Sequence, residues 1–292
     1  MALNYFDPQI LAKLESLELR ARTVVEGLMA GIHRSRAKGF SSEFEQHREY
    51  TPGDDLRHLD WKAYGKFDRY FIKEFQEESN LKCYVLLDCS ASMGYRSDGL
   101  SKFEYGCYLA ACLSYLALRQ GDAAALVTFG EGLKRFIPPR AKQGHLREIC
   151  EELEARRAEG RTNLGRVLQE IAEAVRRRGM VVVISDLLDD RAAVMQGLKL
   201  LRFKGNDLLV FPVLDRDELE LPFKELTLFR DLEQDVRVTA DPRVIREEYL
   251  RALQAFIDAY REECRANQID HVLLNSATPL DKALIQYLAW RA

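Results

Sequence analysis

From about residue 80 onward, short uninterrupted apolar runs alternate with longer stretches whose apolar residues recur every three or four positions. KCYVLLD (82–88) is apolar without alternation and of strand length, the pattern of a strand buried on both faces. The stretch that follows opens on a capping box, Ser101 with Glu104, and stops at Gly121, which predicts a helix. AAALVTF (123–129) reads as the next strand, and GLKRFIPP as its hairpin partner at a sheet edge, ended by two prolines. Helices are predicted at about 143–157 and 163–178, the second with Leu164, Val167, Leu168, Ile171 and Val175 on one stripe. MVVVIS (180–185) is the clearest buried strand, and a helix over about 190–202 leads to DLLVFPVL (207–214). Asp241-Pro242 opens a long helix, IDHVLLN (269–275) is the last strand, and Thr278-Pro279 opens a closing helix.

This alternation predicts an α/β fold: an open, mostly parallel, Rossmann-like sheet with helices on both faces. TLFRDLE and VRVTA interrupt it as a β-hairpin inserted near 215–240. Residues 1–79 follow another pattern. Asp7-Pro8 opens an amphipathic helix that carries Ile10, Leu11, Leu14, Leu17, Ala21, Val24, Val25 and Leu28 on one side. Short strands around turns are expected after it, because aromatic residues such as Phe40, Tyr50, Trp61 and Phe71 need burial. The expected division is therefore a small α+β extension, 1–79, packed on a main domain, 80–292.

Composition narrows the function classes. The chain has 292 residues, 47% of them hydrophobic, enough for a sizeable core. A net charge of −3 exerts no general pull on nucleic acid or membrane, and one small basic patch, HRSRAK (33–38), does not change that. No apolar stretch approaches the roughly 20 residues of a membrane span, and MALNYFDPQI lacks a signal-peptide layout. The six scattered cysteines read as small buried hydrophobes in a reduced, cytoplasmic protein.

Candidate chemistry sits where the first main-domain strand ends. LLDCSASMGY places Asp88, Ser90 and Ser92 at alternating positions, so one extended loop can aim all three the same way. Asp186 ends the strand expected to lie beside it, although 98 positions away in sequence. Ligands of open α/β sheets bind beyond the carboxyl ends of the strands at such a switch point. Two carboxylates brought together there repel unless a cation neutralises them. Carboxylate and hydroxyl oxygens are hard ligands, and so few carboxylates suit Mg²⁺ or Mn²⁺ better than Ca²⁺. Thr162 in GRTNLG is a further oxygen. Taken singly, each residue has a plainer reading, as a cap, a turn residue or a loop acid; the ordered set points to a metal.

Asp88-Cys89-Ser90-Ala91-Ser92, Thr162 and Asp186 together resemble the metal-ion-dependent adhesion site of von Willebrand factor type A domains. That resemblance implies a metal with one position left for an acidic group of a protein ligand. A second resemblance covers most of the chain. HRSRAKGFSSEFEQHREYTPGDDLRHLDWKAYGKFDRYFIKEFQEE, followed by LLDCSASM, is similar to a prokaryotic family, domain of unknown function number fifty-eight. Its members carry a von Willebrand A-like domain and are often encoded beside MoxR-type AAA+ ATPases, which implies such an ATPase as partner. Within the segment most typical of the family, Arg48, Asp54, Asp55, Arg57 and Asp60 around Trp61 form a candidate ion-pair network. Its first reading is a structural clamp, its second a binding surface for the ATPase.

The expected function is a non-enzymatic, Mg²⁺-dependent protein-binding module without membrane insertion. A metal-dependent hydrolase is the alternative, and a structural domain with a vestigial metal site another. A haloacid-type phosphohydrolase needs a second carboxylate where Ser90 stands, and neither a GxSxG elbow nor a GxxxxGK[ST] loop occurs.

Overall fold

The computed structural model describes residues 16–36, 48–49, 71–72, 81–142, 144–175, 178–280, 283–285 and 287–288, with the backbone alone at 30–36 and in the two dipeptides. The chain forms two compact units, Met1–Leu28 with Asn80–Ala292, and Met29–Ser79. In the smaller unit, β1 (Arg48–Glu49) pairs antiparallel with β2 (Phe71–Ile72). The proposed network of Asp54, Asp55, Arg57, Asp60 and Trp61, with the side chain of Arg48, lies outside the described residues, as does the helix start at Asp7-Pro8.

The larger unit begins with the first part of α1 (Leu17–Arg36), whose Leu17, Ala21, Val24, Val25 and Leu28 are buried. Its centre is a seven-stranded sheet. In chain order its elements are β3 (Lys82–Asp88), α2 (Lys102–Arg119), β4 (Ala123–Phe129), β5 (Leu133–Arg140), α3 (His145–Ala155), α4 (Leu164–Ala174), β6 (Met180–Ser185), α5 (Arg191–Phe203) and β7 (Asp207–Leu214). There follow α6 (Arg216–Glu220), the hairpin β8 (Thr227–Arg230) and β9 (Arg237–Ala240), α7 (Pro242–Ala266), β10 (Asp270–His271) and β11 (Leu274–Asn275). The spatial order is β10-β7-β6-β3-β4-β5, with β11 also on β7, and every pairing is parallel except β4 with β5. The expected α/β architecture is the observed one.

Helices cover both faces because successive strand residues point to opposite sides. Tyr84, Leu86, Val181, Val183, Leu208 and Val210 share one core with α4, α5 and α7. The opposite face packs on α2, where a Cβ on Gly106 would come within 2.7 Å of Leu87. The capping box of Ser101 and Glu104 closes the start of α2, and Asp241 with Pro242 opens α7. Pro138 and Pro139 lie in β5, at the sheet edge, where a missing N–H does least harm.

The last strand departs from expectation. IDHVLLN forms two dipeptide ladders on β7 in one register, Asp270 opposite Leu209 and Leu274 opposite Val213, with a lapse at 272–273. In that register the lapse falls opposite Pro212, whose neighbours Val210 and Leu214 turn their carbonyls to this edge and accept the amides of Val272 and Ser276. Proline has no N–H to complete the ladder there.

Helices α4 and α5 meet through glycine. A Cβ on Gly197 would lie 2.5 Å from the Cβ of Leu168, and one on Gly165 would lie 2.6 Å from that of Ala193. Alanine normally favours a helix interior by about 1 kcal/mol over glycine. Here overpacking, worth about 1–3 kcal/mol, should win, so Gly197→Ala is expected to lower the urea midpoint. A midpoint that stays level or rises would contradict this packing.

Candidate metal centre

Strands β3 and β6 are neighbours, so Asp88 and Asp186 emerge side by side at the carboxyl edge of the sheet. Backbone bonds hold the loop after β3 against the loop before α4. Ala91 N–H donates to the carbonyl of Gly160 (2.8 Å), and Glu159 N–H to that of Cys89 (3.0 Å). The Lys134 ammonium bridges the carbonyls of Cys89 and Glu159, at 3.2 Å each.

Four of the five expected residues form one hydrogen-bonded cluster. Ser90 N–H donates to Asp88 Oδ1 (2.9 Å), and the hydroxyls of Ser90 and Ser92 are 3.1 Å apart. Thr162 Oγ1 donates to Asp88 Oδ2 (3.4 Å), which also accepts Ser185 Oγ at 2.6 Å. Asp88, Ser90 and Asp186 are each fully buried. Burial, and next the charge of Asp186, push the Asp88 carboxyl up to about 7, against the pull of hydrogen bonds from Ser185 and Ser90.

Asp186, the fifth residue, carries a partner that sequence reasoning missed. Its Oδ2 accepts the ammonium of Lys102 at 2.9 Å, and Oδ1 accepts the N–H of Leu188 at 3.2 Å. Lys102 is itself fully buried and also donates to Glu218 Oε1 of α6 at 2.7 Å. Burial opposes the lysine's charge, but Asp186 and Glu218 outweigh it and hold its pKa above the ordinary value. Burial raises Glu218, with Lys102 pulling the other way. A signal was present: Lys102 follows the N-cap of α2, and a helix N-terminus disfavours a cation.

A third acid lies along the same edge. Asp215, after β7, is buried and accepts Ser97 N–H and Ser276 Oγ, both at 3.1 Å. Burial works against its charge, yet these donors and Asp217 N–H hold its pKa below the usual range. Three acids stand at the carboxyl ends of three adjacent parallel strands, each held differently: Asp186 by a lysine, Asp215 by amide and hydroxyl donors, Asp88 by neutral donors beside a like charge. Next to them is a groove of about 830 Å³, lined by Ser92, Tyr95, Leu188, Leu221, Phe223 and Phe229 among others.

The donor set around Asp88 fits a hard divalent cation: one carboxylate, three hydroxyls and a neighbouring carboxylate whose repulsion a cation would relieve. Among the described residues no three His, Cys, Asp or Glu side chains form a metal-holding group, so a softer, ligand-rich centre such as zinc has no counterpart there. All six cysteines are buried.

Residues 46–256 match the family described as "Protein of unknown function DUF58". The chain belongs to the DUF58 family. A relative, "Uncharacterized protein Rv1480" of Mycobacterium tuberculosis, is 29% identical over 256 residues, covering 85% of this chain and 79% of its own. Among solved structures, the conserved hypothetical protein BatB from Bacteroides thetaiotaomicron aligns at TM-score 0.48 and 15% identity, covering 72% of this chain and 98% of BatB. The SpRpn10 VWA domain aligns at TM-score 0.43 and 16% identity, covering 71% and 94%. Among the described residues of this DUF58 chain, no helix is long and apolar enough to cross a membrane.

Lys102→Met removes the side-chain cation that Asp186 and Glu218 share. Breaking a buried pair from one side typically costs about 3–5 kcal/mol, so K102M is expected to unfold at much lower urea. Replacing all three charges, as K102M/D186N/E218Q, should recover part of the loss. K102M with wild-type stability would contradict the buried ion triad.

Proposed function

We propose that this DUF58 protein is a non-enzymatic, Mg²⁺-dependent protein-binding module. The observation that carries the reading is Asp88: a buried carboxylate, bonded to neutral donors and pressed by Asp186, with the Ser90, Ser92 and Thr162 hydroxyls gathered beside it. Asp88, Ser90 and Ser92 would hold the ion, with Thr162 and Asp186 supporting it from behind. The bound metal supplies a fixed positive charge that attracts an acidic group of a partner. Mn²⁺ satisfies the same hard oxygen ligands.

The partner's acidic group docks at the metal, and the mainly apolar groove beside Ser92 receives the surrounding surface. The resemblance described from sequence points to a MoxR-type AAA+ ATPase, or a client it remodels, in protein maturation or complex assembly. The family membership is consistent with this and leaves the activity open. Against hydrolysis stand two features. Burial, then the charge of Asp88, push the Cys89 thiol up to about 12, so it is not a ready nucleophile. Lys102 is held charged between two carboxylates, which removes it as a base.

Calorimetric titration with Mg²⁺ tests the metal, and capture of the ATPase with and without EDTA tests the bridge. Saturable Mg²⁺ binding is expected, weakened at least about tenfold in Asp88→Ala, together with EDTA-sensitive capture lost in the same variant. Wild-type protein that takes up neither Mg²⁺ nor Mn²⁺, or capture indifferent to EDTA and to D88A, would contradict metal bridging.

A further inference from the structure

The inserted hairpin is not a distant ornament, because its tip reaches the metal loops. Asp231 N–H donates to the carbonyl of Val236 (2.9 Å). Asp231 Oδ1 accepts the amides of Glu233 (2.7 Å) and Gln234 (3.0 Å), fixing the turn between β8 and β9. Glu233 then bonds twice to the loop before α4. Its carbonyl accepts Arg161 Nε at 3.2 Å, and its Oε2 accepts Thr162 N–H at 2.9 Å. Thr162 is the residue whose hydroxyl reaches Asp88. One residue therefore separates the two carboxylates, and Ser92 and Glu233 line the same groove.

The other oxygen of that carboxylate is the anomaly. Glu233 Oε1 is buried and has no hydrogen-bond partner among the described residues. Leaving a charged acceptor unsatisfied out of water costs more than the 1–3 kcal/mol typical of a neutral one. A neutral glutamine would also accept the Thr162 bond, so an anchor for the hairpin does not by itself require a charge. Placing a further negative charge near Asp88 and Asp186 also works against folding unless something positive lies between them. A divalent ion at Asp88, Ser90 and Ser92 answers both problems.

We propose that Glu233 is an internal carboxylate ligand of the metal site, occupying through Oε1 the position that would otherwise be open to a partner. The proposal rests on the metal reading above and extends it: the loaded site is closed by its own hairpin. An acidic partner group must displace Glu233, which lifts the hairpin tip and opens the groove whose wall β8 and β9 form. Outside its tip the hairpin is lightly held, with Leu228 and Val238 exposed, as a movable element should be.

The test is Mn²⁺ titration of the full chain, followed by calorimetry and by the electron paramagnetic resonance of the free ion. It uses the wild type, Glu233→Gln and Asp88→Ala, with hydrogen exchange measured over residues 227–240. E233Q keeps an acceptor for Thr162 N–H and should fold as the wild type does. It is expected to bind Mn²⁺ on the order of tenfold more weakly, and Mn²⁺ should slow exchange in the hairpin of the wild type but not of E233Q. If E233Q binds Mn²⁺ as tightly as wild type and the metal leaves hairpin exchange unchanged, while D88A has lost the ion, the internal ligand is overturned and the metal site stands. If the wild type binds no Mn²⁺, both fall.

Discussion

Two parallel strands that lie side by side deliver two acids to one buried place, and the rest of the site is arranged around that repulsion. Asp88 and Asp186 cannot both be charged out of water without compensation. The molecule compensates one of them with a lysine brought from the start of α2 and shared with Glu218. The other keeps neutral donors and a pKa pushed up to about 7. Asp186, Glu218 and Asp88 against Lys102 leave the immediate surroundings negative. The imbalance is concentrated on Asp88, the residue around which the hydroxyls gather.

The fold makes that imbalance rigid. Asp88 belongs to a strand paired on both sides, and its loop is stitched by backbone hydrogen bonds to the loop that carries Thr162. Little can relax to separate the charges. On the proposed reading, a small cation at this carboxyl edge of the sheet would relieve the repulsion. The groove beside it adds apolar surface next to a charge, the combination that gives a polar contact both strength and direction.

Much of this was legible in the sequence, for a local reason. Unbroken apolar runs mark β3, β4, β6 and β7 because strands covered on both faces need no polar alternation, and caps such as Ser101 with Glu104 mark helix starts within four residues. Asp88, Ser90 and Ser92 were readable together because they share one short loop. Lys102 was not, since a lysine early in a helix reads as a surface residue unless its position against the helix dipole is weighed. Nothing in 227–240 tells where the hairpin tip will land, because the contact of Glu233 with Thr162 spans 71 positions. The lapse in the last strand is also non-local, set by Pro212 on the neighbouring strand.

The central proposal is that Asp88 and its hydroxyl neighbours hold a divalent cation. Crystals grown with Mn²⁺ and measured at the manganese absorption edge test it most directly. The predicted result is a single anomalous peak beside the carboxylate of Asp88 and the hydroxyls of Ser90 and Ser92, with Lys102 still bonded to Asp186. A map with no peak there at saturating Mn²⁺, the Asp88 carboxyl keeping only its bonds to Ser90, Thr162 and Ser185, would contradict it.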